Sequence, residues 1–122
     1  MASDPTLFKV RRDTMPRFII EELMTADFLK NLVDNPRDRA QELGPAIQEA
    51  GLTLEERYFV VGENKLIDIV SGDSDAVQAF TMAALSSGVA ISFTMRQITT
   101  SAETVPILQR AKESSFRPPS GS

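Results

Sequence analysis

The chain has 122 residues, 42% hydrophobic and 25% charged, which suits a single globular domain. Its net charge of −4 argues against a nucleic-acid partner, for which a basic face is expected. Cysteine and histidine are both absent, which excludes disulfides, thiolate nucleophiles, thiolate or imidazole metal sites, Ser-His-Asp triads and histidine-ligated haem. No cofactor is therefore expected, and any catalysis falls to Asp, Glu, Tyr, Lys, Arg, Ser or Thr. No apolar run approaches a membrane span and the start lacks a signal-peptide core, so no membrane partner and a cytoplasmic location are expected. A chain of this length buries roughly two-thirds of its unfolded surface, so a sizeable pocket calls for a second subunit.

Residues 1–14 are polar apart from Leu7, Phe8 and Val10 and read as an extension, weakly ordered unless those three dock on a neighbour. The first strand is predicted over 15–23, with Pro16 near its start, where a missing N–H is tolerated. Thr25 can cap a short helical turn carrying the i,i+4 pairs Phe28/Leu32 and Leu29/Val33. Asn35-Pro36 predicts the next helix start, with Asn as N-cap and Pro in the first turn. Ala40, Leu43, Ile47 and Ala50 give that helix one apolar stripe, and Pro45 predicts a kink or a break.

After Gly51 the chain enters a β-hairpin. Residues 52–61 rise, Gly62-Glu63-Asn64 supplies turn chemistry, and the apolar run 66–70 returns. A second helix over 75–86 turns Val77, Phe80 and Ala84 inward and leaves through Ser87-Gly88. The last strand, 90–100, places Ile91, Phe93 and Met95 on one face and Ser92, Thr94 and Arg96 on the other. One more short helix over 104–113 precedes a tail that is disordered by composition.

The order β–α–β–β–α–β is that of the ferredoxin-like split βαβ. It predicts an α+β fold with a four-stranded antiparallel sheet and two helices on one face. The chain then divides into an extension (1–14), the ferredoxin-like domain (15–100) and a short helix with its tail (101–122). Phe59, Val61, Leu66 and Val70 are assigned to the other face, and are too apolar to leave wet. A second copy of the chain is expected to cover them.

Several of these segments resemble one family. Met15-Pro16 ahead of a strand, followed by Asn35-Pro36-Arg37-Asp38-Arg39-Ala40, looks like the opening of GYD-domain proteins. Tyr58, Gly62-Glu63 and the strand 66–70 are similar to that family's Y…GE(Y)D hairpin, and Gly88 with Thr94-Met95-Arg96 to its closing segment. The resemblance covers 15–100 and implies ferredoxin-like protomers paired sheet to sheet in a dimeric α+β barrel. It implies no reaction, because the family has no generally established activity. Asn64 and Lys65 stand where the name-giving Tyr and Asp would be, so any role of that acid is lost or moved to Glu63 or Asp68.

Asp68 is the leading candidate for chemistry. It shares a strand face with Leu66 and Val70, and burying a lone carboxylate is costly enough to demand a partner. Arg96 is the expected partner, on a polar face with Thr94. Their pair is either a structural ion pair in a dimer interface or, with Asp68 as base or anchor, part of a ligand pocket. Tyr58, the sole tyrosine, is either a packed ring with a bonded hydroxyl or a proton donor to a ligand oxygen. Arg96 could instead clamp a ligand carboxylate. Glu21 and Glu22 must face opposite sides of their strand, and whichever faces the barrel joins the polar set. With Glu63 they make a weak oxygen-ligand set, but nothing resembles a cation-binding loop, so no metal is expected.

Two functions fit these features. In the first, a homodimer or larger oligomer binds a small apolar or aromatic metabolite through Tyr58, Asp68, Arg96, Thr94 and Glu63, and turns it over, if at all, by proton transfer with Asp68 or Tyr58 as catalytic candidates. In the second, the domain is a non-catalytic structural or regulatory oligomerisation module.

Overall fold

Four strands form the centre of the molecule: β1 (Arg17–Met24), β2 (Leu52–Val60), β3 (Lys65–Gly72) and β4 (Ala90–Ile98). They make one sheet in the spatial order β2-β3-β1-β4, with every neighbouring pair antiparallel. The two central strands, β1 and β3, alternate buried and half-buried residues along their whole length. The computed structural model describes residues 15–116, 118 and 119. The extension over 1–14 and the end of the tail lie outside the described residues. Among the described residues four helices accompany the sheet: α1 (Ala26–Asp34), α2 (Arg39–Glu49), α3 (Ser74–Ser86) and α4 (Ser101–Lys112). This α+β arrangement is compatible with a ferredoxin-like fold.

One face of the sheet is covered. Phe18 and Ile20 of β1, Leu52 of β2 and Val70 of β3 pack with Ile47 of α2 and Val77 of α3 into the main core. A second cluster joins Met24, Leu66 and Ala90, with Phe28 of α1 and Phe93 against it. Each of the large apolar side chains leaves water, at roughly 1.5–3 kcal/mol for a fully buried aliphatic or aromatic residue.

The strand register corrects the expected sheet face. Phe59 pairs with Leu66, and Leu66 and Val70 are buried on the helix side. Val61 belongs to the hairpin loop and is 90% exposed. The apolar residues of the open face are instead Ile19, Leu23, Ile67, Ile69, Tyr58, Val60 and Ile98, as the cross-strand partners show. A period of two explains this, because residues of opposite parity along a strand necessarily point to opposite sides.

Local chemistry moves two helix starts. Asn35 does not open α2; it caps the C-terminus of α1 and donates its backbone N–H to Asn31 O. Asp38 is the N-cap of α2, its carboxylate accepting the Ala40 N–H, so the helix begins at Arg39. The helix runs to Glu49 without a break at Pro45. Pro45 and Gln41 both lie exposed, so water can satisfy the carbonyl that proline leaves without a donor. The final helix starts at Ser101 because Thr100 and Glu103 form a capping box.

The hairpin loop also secures the end of β1. Asn64 takes a positive φ of 52° and donates its side-chain amide to the carbonyls of Met24 and Thr25. Asn64 thus closes the turn and ties it to the start of α1.

Candidate functional site

The buried polar groups of the described residues lie on the helix side of the sheet. Asp68 of β3 is 1% exposed and Glu22 of β1 is 3% exposed. Arg57 of β2 is directly across from Asp68 in the hairpin ladder. Its Nε donates to Asp68 Oδ1 at 2.6 Å and its Nη2 to Oδ2 at 2.7 Å, a bidentate fork. The same Nη2 lies 3.5 Å from Glu22 Oε2. Two carboxyl groups therefore share one guanidinium in a space largely closed to water.

That imbalance sets the ionisation. Burial, followed by the neighbouring Asp68 charge, pushes the Glu22 carboxyl up from its ordinary 4.5 to about 8, although Arg57 pulls the other way. Glu22 thus keeps its proton at neutral pH. Burial alone would lower the Arg57 pKa, but the hydrogen bonds and charge of Asp68 outweigh it and raise the guanidinium above its usual range.

A cavity of about 160 Å³ opens over this cluster. Phe28 and Leu32 of α1 and Phe59 and Leu66 of the hairpin supply its apolar wall, and Arg57 reaches it from below. Arg37, Asp38 and Arg39, at the passage from α1 to α2, form its polar rim. A more open groove of about 450 Å³ continues past Phe28 and Leu32 to Gly88 and Val89. Arg37 locks the rim: its Nε donates to Glu42 at 2.6 Å, Nη1 to the Asn35 carbonyl at 2.8 Å and Nη2 to Asn31 Oδ1 at 2.8 Å.

The sequence-predicted residues do not converge on one place. Asp68 belongs to the buried cluster, whereas Tyr58 is 55% exposed on the open face, opposite Ile67. Arg96 does not pair with Asp68, which corrects the expected ion pair. It donates to Glu21 Oε2 at 2.9 Å on the open face, where Thr94 is the cross-strand partner of Glu21. The sheet separates Asp68 from Arg96, so no side-chain movement brings them together. Glu63 sits exposed in the hairpin loop. Glu21, Glu22 and Glu63 occupy two sheet faces and a turn and form no shared oxygen set. Among the described residues no group of three or more acidic side chains could hold a metal ion.

Sequence reasoning missed Arg57 and the rim arginines and left Glu22 undecided against Glu21. The missing signal was the hairpin register: a four-residue loop over 61–64 sets Arg57 opposite Asp68. Comparison with protein-family models, curated proteins and solved structures finds no match for this chain.

Proposed function

We propose that this chain is a homo-oligomeric, GYD-type α+β-barrel protein that binds a small apolar or aromatic metabolite between α1 and the sheet. Ferredoxin-like protomers pair through their open faces, where Ile19, Ile67 and Ile69 surround the charged ladder Arg96–Glu21–Lys65. The observation that carries the ligand reading is a cavity of about 160 Å³, with an apolar wall and a charged rim, standing over a buried, bidentate Arg57–Asp68 pair. An apolar cavity of about 150 Å³ holds benzene, so the size here suits a single ring. If the ligand is turned over, proton transfer is the most economical reaction, although neither Glu22 nor Asp68 lines the cavity to take part directly.

A panel of single-ring compounds, read by thermal shift and by native mass spectrometry, tests both halves. Ring ligands should raise the melting temperature, Leu32→Trp should fill the cavity and abolish the shift, and the native mass should be a multiple of the protomer. A panel without any shift removes the ligand reading; a monomeric mass removes the barrel. The alternative of a non-catalytic oligomerisation module is favoured by one observation: the cavity is smaller than the roughly 300–1,000 Å³ of ordinary ligand sites.

A further inference from the structure

We infer that the cavity selects a ring carrying one carboxylate, held between Nη1 of Arg57 and the guanidinium of Arg39. This inference rests on the ligand reading above and adds the ligand's charge to it. Arg57 spends Nε and Nη2 on Asp68, which fixes the plane of its guanidinium. Its Nη1 makes no hydrogen bond to the described residues, although the side chain lines the cavity. A locked guanidinium with one unused nitrogen is a preorganised donor, because the entropy of ordering it is lost on folding and not on binding.

Arg39 supplies the second donor. Its only hydrogen bond to the described residues runs from Nη1 to Glu42 Oε2, at a long 3.3 Å, which leaves Nε and Nη2 unused. Arg37 is not a candidate, since all three of its nitrogens are engaged. The charges on the rim also limit the ligand. Arg57 is matched by Asp68 and Arg37 by Glu42, at 2.6 Å each, so Arg39 is the guanidinium with the loosest counter-ion. Asp38 lines the same cavity with one oxygen committed to the Ala40 N–H, and its charge repels a second negative charge on the ligand. A monoanion fits that balance, whereas a dianion such as a phosphate monoester does not. Phe28, Leu32 and Phe59 then receive the ring.

Isothermal titration at pH 6.5 and low salt with benzoate, benzamide, benzene and phenyl phosphate tests this, since the four share a ring and differ in charge. Benzoate should bind about tenfold more tightly than benzamide, a typical worth for a charge-assisted hydrogen bond. Arg39→Gln should bring the two to parity, and Arg39→Lys should restore part of the difference. Arg39 is partly exposed, so both variants should keep the wild-type circular dichroism spectrum. Equal affinities for benzoate and benzamide, or an unchanged ratio in folded Arg39→Gln, overturn the carboxylate inference while leaving the ring cavity standing. Tighter binding of phenyl phosphate than of benzoate overturns the monoanion. Failure of all four to bind overturns the ligand reading itself.

Discussion

Glu21 and Glu22 are consecutive in β1 and carry the same acid, yet the sheet places them in opposite worlds. Glu21 points to the open face, where hydrogen bonds from Arg96 and Lys65 draw its pKa below the ordinary value. Glu22 points under the helices, where loss of water and the charge of Asp68 raise its pKa to about 8. Each face has its own ion-pair set, Arg96–Glu21–Lys65 outside and Glu22–Arg57–Asp68 inside. The outer set has two cations for one acid and is open to water in the single protomer. The inner set has two acids for one cation, and answers the excess by keeping a proton. Solvent access, and not residue type, decides what each glutamate does.

The largest effect expected from this contrast is at Asp68. Asp68→Ala strips the fork from a buried guanidinium and should cost about 3–5 kcal/mol in chemical denaturation. Replacing both partners, Arg57→Met with Asp68→Leu, should cost less than that single change, because it leaves no uncompensated charge. If the stability of the single variant lies in the ~0–1 kcal/mol range of a lost surface pair below the wild type, the inner set is solvated and the contrast collapses.

Glu22→Gln tests the retained proton. Below pH 4.5 both folded and unfolded chains hold the Glu22 proton, so the raised pKa has no effect there. Between 4.5 and about 8 the unfolded chain releases it while the folded chain does not. Stability must therefore fall as pH rises through that window and level off above it. Glutamine has the same shape and no proton to lose. The stability difference, variant minus wild type, should grow with pH by at most about 1.4 kcal/mol per unit and total a few kcal/mol once both chains have released the proton. Parallel stability curves for the two proteins would show that Glu22 ionises normally.

The same contrast shows what can be read from the chain without coordinates. The strand-helix order was legible because hydrophobic periodicity is local: the 52–70 hairpin and the Val77 helix face each lie within a few turns of sequence. That Asp68 is a costly buried acid was legible too, since Leu66 and Val70 flank it at a spacing of two, but its face was not: expected in a dimer interface, it lies under the helices. Nor was its partner. Choosing Arg57 over Arg96 requires the hairpin register, and a slip of one residue exchanges the two sheet faces. The helix starting at Arg39 was misplaced for a related reason. Asn35 and Asp38 are both good caps, and only the geometry of the α1 exit makes one a C-cap. The cavity rim depends on that exit, so it was out of reach of sequence patterns.

The smallest expected effect is at Glu21, and it is the one that reports on assembly. In a free protomer Arg96 is largely exposed, and ion pairs in water are screened by salt. Glu21→Gln should then leave the denaturation midpoint unchanged, whatever the salt concentration. The proposed pairing of open faces predicts otherwise. Buried between two sheets, Glu21 would be the lone acid between Arg96 and Lys65, and its removal would leave two cations facing the partner's own pair. The variant should then weaken the oligomer, so that it dissociates at concentrations where the wild type is still assembled. Sedimentation velocity across a roughly hundredfold dilution separates these cases, since a loss of about 1.4 kcal/mol moves the dissociation midpoint tenfold. A Glu21→Gln boundary that tracks the wild type at every concentration means that this face meets only water, and the apolar residues around Glu21 need another explanation.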